Sequence, residues 1–170
     1  MSDNRVYLFD STLRDGAQTT GIDLSTADKV AIAQELDRLG IDYIEGGWPG
    51  ANPTDNAFFE APPKLATSKL VAFGMTRRAG RSKENDPGLK AMLGAGTRTV
   101  CMVGKTWDFH VKAALGIENA ENVSMIADSV VESLNEKDEV MFDAEHFFDG
   151  YKDNPEFALE CLMAAHDAGA

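Results

Sequence analysis

The run Ser25-Thr26-Ala27-Asp28-Lys29-Val30-Ala31-Ile32-Ala33-Gln34-Glu35-Leu36-Asp37-Arg38-Leu39-Gly40-Ile41-Asp42-Tyr43-Ile44-Glu45-Gly46 holds a helix, its stop signal and a strand in immediate succession. Ser25 with Asp28 three residues on is a capping-box variant. Ile32, Leu36 and Leu39 recur at i, i+4 and i+7, the spacing of one helix face, and Gly40 stands where a C-cap belongs. Tyr43-Ile44-Glu45-Gly46 then reads as a short strand. Working outward, Val6-Tyr7-Leu8-Phe9 is a strand followed by a polar loop, Asp10 to Asp23. On the other side, a Pro/Gly loop from Trp48 to Pro53 leads into a weak helix, Asp55 to Phe59, which stops before Pro62-Pro63. Leu70 to Phe73, Thr99 to Val103 and Val140 to Phe142 are further strands. Between them lie a short helix, Leu89 to Leu93, and a long one with Val123, Ile126, Ala127, Val130, Val131 and Leu134 on its apolar face. Asn154-Pro155 opens a last helix, with Leu159, Leu162, Met163 and His166 on one face and Gly169 as its C-cap.

Strands alternating with helices predict a parallel sheet with helices packed on it. Strands that are apolar nearly throughout are those covered on both faces. Two architectures meet that description. One is an open doubly wound sheet, complete at 170 residues. The other is a (β/α)8 TIM barrel, which needs eight units and about 250 residues. The end of the sequence bears on the choice. Leu39-Gly40-Ile41 and Gly94-Ala95-Gly96 each pass from a helix into a strand, and Ala168-Gly169-Ala170 repeats that punctuation with no strand behind it. The expectation is a partial barrel, with residues 1–170 as the first five βα units of one catalytic domain, cut before the sixth strand. A natural C-terminal helix is the competing reading. In the partial barrel Val6, Leu8, Val71 and Val100 face the lumen, and two open edges favour a homo-oligomer.

Hydrophobic residues are 44% of the chain and charged residues 26%, an ordinary globular composition with length enough for a sizeable core. No apolar run approaches the ~20 residues that span a bilayer. Met1-Ser2-Asp3-Asn4-Arg5 lacks the basic-then-apolar build of a secretory signal. With 16 Lys and Arg against 28 Asp and Glu the net charge is −12. Such a field repels nucleic-acid backbones and anionic membranes, so neither is an expected partner. Cys101 and Cys161 form no CxxC pair and no disulfide framework, which suits a reducing cytoplasm.

Polar residues gather where strands end, the face that carries the active site in both architectures. After strand one, Arg14-Asp15 can ligate a hard divalent cation through the carboxylate and stabilise a developing oxyanion through the guanidinium. The alternative is a solvated loop with one local ion pair. Glu45 ends strand two, and a carboxylate buried there needs an arginine or a metal; a structural pairing with Arg14 would meet that need. Arg77-Arg78 follow strand three, either as a bidentate anion clamp or as solvated charges. Lys105, Trp107, Asp108 and His110 follow strand four. Gly104-Lys105-Thr106 resembles the close of a phosphate-binding loop, but Thr99 stands where that motif needs glycine. Glu145-His146 end strand five, as an acid/base pair or as structural neighbours.

Five motifs, in order, carry a family resemblance. Asp10-Ser11-Thr12-Leu13-Arg14-Asp15-Gly16-Ala17-Gln18 resembles the first-strand signature of the isopropylmalate, homocitrate and citramalate synthases. Asp42-Tyr43-Ile44-Glu45-Gly46-Gly47-Trp48-Pro49-Gly50, Thr76-Arg77-Arg78-Ala79-Gly80, Gly104-Lys105-Thr106-Trp107-Asp108 and Phe142-Asp143-Ala144-Glu145-His146-Phe147-Phe148-Asp149-Gly150-Tyr151-Lys152 look like the citramalate-forming branch. Ser11 replaces the family's usual threonine and keeps the hydroxyl. These synthases belong to a wider metal-dependent barrel group that includes hydroxymethylglutaryl-CoA lyase. The resemblance implies a catalytic barrel that condenses acetyl-CoA with pyruvate, in branched-chain amino-acid biosynthesis. The neighbouring branches use other 2-oxo acids, and a carbon–carbon lyase of the same group runs similar chemistry in reverse. By the same resemblance Asp15 is a ligand to Mg2+, Mn2+ or Zn2+. Arg14 polarises the keto oxygen, with Gln18 close by. Glu145 joins the acid/base network or acetyl-CoA enolisation, and Glu45 is a site-facing carboxylate. The family completes its metal site with a His-x-His pair near strand seven; His110, His146 and His166 have no such spacing. A complete five-stranded binding domain is the non-enzymatic alternative.

Overall fold

A computed structural model describes residues 5–82 and 84–170; residues 1–4, read above for a leader, lie outside that range. Helix α1 (Thr26–Leu39) forms as its caps dictate. The Ser25 side chain accepts from the Asp28 N–H, and the Asp28 carboxylate accepts from the Ser25 N–H at 2.9 Å. Gly40 closes the helix at φ +89°, with the Ile41 N–H donating to the Leu36 carbonyl at 3.1 Å. The chain then enters β2 (Tyr43–Gly47). The pattern repeats through α2 (Pro53–Glu60), β3 (Lys69–Met75), α3 (Pro87–Leu93) and β4 (Thr99–Lys105). Next come α4 (Asp108–His110), a π-helical turn (Val111–Leu115), α5 (Asn119–Leu134), β5 (Glu139–Glu145), α6 (Phe147–Asp153) and α7 (Pro155–Asp167). Asn52, Asp86 and Asn154 cap α2, α3 and α7, each ahead of a proline. No helix among the described residues is long and apolar enough to cross a membrane.

The strands are all parallel and ordered β1-β2-β3-β4-β5, where β1 is Phe9–Asp10. That order decides between the two architectures. A doubly wound sheet reverses its order at a switch point; this one never reverses, which is the winding of a barrel. Two apolar clusters occupy its two faces. The larger joins Ile44, Ala72, Val100, Met102 and Val140 to Ala33, Phe58, Met92, Ile126 and Cys161 of the helices. The smaller joins Val71, Phe73, Cys101 and Val103, flanked by Tyr43, Trp48, Met75 and Met141, with no helix residue in it. The helices cover one face, and the other is the lumen wall of a half-barrel.

Val71 lies on that lumen wall as expected. Val100 does not: it is one residue out of phase and packs under the helices. On the first strand it is Tyr7 and Phe9 that reach Tyr43, each at 6.3 Å between ring centroids, so Val6 and Leu8 alternate to the opposite side. The strand expected over 6–9 is laddered only at Phe9–Asp10. Leu8 instead bonds with Asp42, its N–H donating to the carboxylate at 2.9 Å.

Two helix faces also differ from expectation. Helix α5 buries Met125, Ile126 and Val130 but leaves Val131 half exposed. Helix α7 buries the slimmer stripe Phe157, Ala158, Cys161 and Ala165 against its neighbours. Its bulkier stripe, Leu159, Leu162 and Met163, stays exposed. Leu162, Met163 and His166 line a groove with Phe142 beside the β5 edge.

Candidate active site

Every strand delivers a polar group to the same rim. After β1 the Asp10 carboxylate accepts from the Thr12 N–H at 2.9 Å and the Thr12 hydroxyl at 3.1 Å, which bends the chain. The Arg14 and Gly16 N–H groups both donate to the Ser11 carbonyl, at 3.1 and 3.0 Å, and fully buried Leu13 anchors the turn. Arg14 is thereby swung onto the lumen wall. Its Nε donates to Glu45 Oε2 at 2.8 Å and its Nη1 to Asp15 Oδ1 at 3.2 Å. Its guanidinium carbon lies 4.0 Å from the centre of the Phe73 ring, a cation–π contact. Trp48 meets Phe73 edge-on at 5.4 Å. The arginine that Glu45 was expected to need is Arg14.

Glu45 is 1% exposed. Burial raises its pKa above the ordinary carboxylate range; the Arg14 hydrogen bond and charge oppose that, and Asp143 and Asp15 push it further up. Asp143, on β5, is raised in the same way, by burial first, with Arg14 opposing and Glu145 and Asp15 adding to the rise. Three carboxylates thus share the field of one arginine. The Cys101 thiol is pushed far up by burial and then by Glu45 and Asp143, so it stays protonated and unreactive. Asp143 was missing from the sequence-derived site. Strand alternation carries the signal, since it stands two residues before Glu145 on the same face.

Glu145 pairs with Lys105, and its backbone carbonyl accepts from the Thr106 hydroxyl at 2.8 Å. Among the described residues no hydrogen bond joins Glu145 to His146. His146 takes φ +55°, alone among the described non-glycine residues in having a positive φ. Its Nδ1 lies 3.1 Å from Asp149 Oδ2, and its ring stands edge-on to His110 at 4.6 Å. Arg77 is not solvated: it clamps a carboxylate of its own chain, with Nε and Nη2 both donating to Asp128 Oδ2. It is buried and bonds to Glu121 and Asp128 of α5, at 3.0 and 2.7 Å. Arg78 is exposed on the rim.

Trp48 separates two clefts. The smaller, about 280 Å3, is lined by Arg14, Gln18, Lys29, Trp48, Asn52 and Asp55. The larger, about 440 Å3, has apolar walls from Met75, Leu89, Leu115 and Met125, with Arg78 and Lys105 alongside. The Asp15 side chain is 65% exposed. It fits one oxygen position of a hard cation. Among the described residues no group of three or more His, Cys, Asp or Glu comes together to hold a metal.

A singly wound parallel half-barrel with a charged rim defines the class, and residues 5–170 match the HMGL-like family: the chain belongs to it. It is 50% identical over 168 residues to an (R)-citramalate synthase of Aquifex aeolicus (strain VF5), covering 98% of this chain and 32% of that protein. It is also 50% identical over 169 residues to the (R)-citramalate synthase of Synechocystis sp. (strain ATCC 27184 / PCC 6803 / Kazusa), covering 97% and 30%. Similarity to the 2-isopropylmalate synthase of Solidesulfovibrio magneticus (strain ATCC 700980 / DSM 13731 / RS-1) is lower, 32% over 168 residues, with 99% and 32% covered. Among solved structures, hydroxymethylglutaryl-CoA lyase from Pseudomonas aeruginosa superposes with a TM-score of 0.73 at 16% identity, covering 98% of this chain and 55% of that one. The shared fold is a TIM barrel. The chain spans roughly a third of the length of the curated synthases it matches.

Proposed function

We propose that residues 1–170 are the opening five βα units of an (R)-citramalate synthase barrel, a cytoplasmic acyltransferase of isoleucine biosynthesis that works as a homo-oligomer. The reaction takes a methyl proton from acetyl-CoA and joins that carbon to the keto carbon of pyruvate. Water then cleaves the citramalyl thioester and CoA leaves. The observation that carries this reading is the fixed Arg14. Two of its nitrogens are held by Glu45 and Asp15, while Nη2 makes no hydrogen bond among the described residues. A guanidinium held in place before charge develops on the keto oxygen stabilises that charge with little reorganisation. Gln18 shares its cleft and binds the acceptor with it. Glu145 serves the enolisation or the acid/base network, steadied by Lys105. The larger cleft, apolar within and bordered by Arg78, suits an acyl-CoA with an apolar arm and anionic phosphates. A divalent Mg2+, Mn2+ or Zn2+ ion, held in part by Asp15, supplies Lewis-acid activation of the carbonyl when bound.

The greater similarity to citramalate synthases than to an isopropylmalate synthase supports pyruvate as the acceptor. The test is thiol release from acetyl-CoA over a panel of 2-oxo acids, using the protein in which this barrel is complete. Pyruvate should be preferred. A clear preference for 2-oxoisovalerate or 2-oxoglutarate would move the chain to a neighbouring branch.

A further inference from the structure

The end of β2 is irregular. Its register against β3 shifts between Glu45, which pairs with Val71, and Gly47, which already pairs with Ala72. Such a bulge redirects a strand. Gly47 takes φ +145°, and a Cβ there would lie 2.6 Å from the Asp55 carboxylate. An ion pair fills the bend. Lys29 from α1 and Asp55 from α2 are bonded to each other and only 3% and 7% exposed. Lys29 Nζ also donates to the Gly46 carbonyl at 3.0 Å. Asp55 Oδ2 accepts from the Trp48 N–H and from Asn52 Nδ2, each at 2.9 Å. The pair therefore grips the backbone on both sides of Gly47.

A buried ion pair is a poor source of stability, because desolvation offsets most of its Coulombic gain and apolar replacements are often neutral or better. Its effect here is geometric. The gripped bend lies between Glu45, which holds Arg14 Nε, and Trp48, which braces Phe73 beneath the Arg14 guanidinium. We propose that Lys29 and Asp55 are positioning residues for Arg14: they fix the exit path of β2 and, through Glu45 and Trp48, the guanidinium. The inference rests on the synthase reading only for what Arg14 does.

The test compares the complete protein with Lys29→Met/Asp55→Leu, which removes both charges and strands neither, and with Asp55→Asn, which keeps an oxygen for the Trp48 N–H. Melting and circular dichroism verify folding. Arg14 mobility is read directly, as the rate of phenylglyoxal labelling of the Arg14 peptide by mass spectrometry. The double variant should melt near the wild type yet label several-fold faster at Arg14. Its kcat should fall about 10- to 100-fold, since small misplacements of catalytic groups cost that much, with little change in KM for acetyl-CoA. Asp55→Asn leaves Lys29 charged without its partner, so it should melt below the wild type while its labelling and kcat fall between the two, and it carries the comparison if the double variant does not fold. Wild-type labelling and wild-type kcat in a folded variant overturn the proposal. If the wild type turns over no 2-oxo acid, the synthase reading fails instead, and Arg14 labelling still decides: faster in the variants upholds the positioning role, unchanged refutes it.

Discussion

Arg14 gives Nε and Nη1 to carboxylates of its own chain and lies over an aromatic ring. Lysine in its place keeps the charge but loses the planar fork. In the complete protein Arg14→Lys should therefore lower kcat by roughly 10²–10³ while leaving divalent-metal affinity near that of the wild type. Asp15→Asn should weaken metal binding by at least about 10-fold, the scale seen when metal-site hydrogen bonding is disturbed. Metal titration and steady-state turnover check both; near-normal turnover in both variants at limiting metal contradicts the assigned roles. Asp143 gives a pH test. A carboxyl whose folded pKa is raised binds more protons folded than unfolded, so stability falls as pH rises from the unfolded value, 3.8, through the folded one. Ionised Asp143 thus costs stability at neutral pH. Asp143→Asn should raise the thermal midpoint at pH 7, and the gain should shrink as pH falls from the raised folded value towards 3.8 and be gone below it. A lowered midpoint at pH 7 would mean that a partner offsets the burial of Asp143.

Elements whose signals are local were legible in the sequence. Ser25, Asp28 and Gly40 bound α1 because capping chemistry acts within a turn. The pairing of Arg14 with Glu45 was readable because a carboxylate ending a buried strand has few ways to be satisfied. Faces chosen by distant packing were not readable. Helix α7 carries two apolar stripes, and the slimmer one, with Cys161, meets α5 through Asn122 at 3.5 Å. The sequence attaches no role to Lys29 or Asp55, and nothing in their spacing shows that β2 will bend between them. Helix α4 is too short for any periodicity, and α6, with seven residues, leaves little. At α6 the sensitive position is Gly150, where a Cβ would lie 2.4 Å from the Thr106 carbonyl oxygen. Gly150→Ala should cost about 1–3 kcal/mol by overpacking, and should disturb the 2.8 Å Thr106–Glu145 bond. Denaturant melting checks it; an unchanged midpoint would mean that α6 yields freely.

Among the described residues the sheet has two edges, β1 and β5, and a lumen wall without helices. Val6 is 78% exposed, and Leu162 and Met163 are exposed beside the β5 edge. Unpaired edges and apolar faces favour association. Light scattering on the isolated 170-residue chain should show concentration-dependent oligomers. Its turnover should be poor, because water at the open rim weakens every charge interaction there. A stable monomer with full turnover would contradict both expectations. The direction of the proposed carbon chemistry belongs to the complete protein, and labelled carbon decides it. Given acetyl-CoA carrying 13C in its methyl group, together with pyruvate, the complete protein should place the label in the CH2 of citramalate and release CoA in equal amount. Labelled acetate with no citramalate, or cleavage of citramalyl-CoA without net synthesis, would contradict the synthase reading.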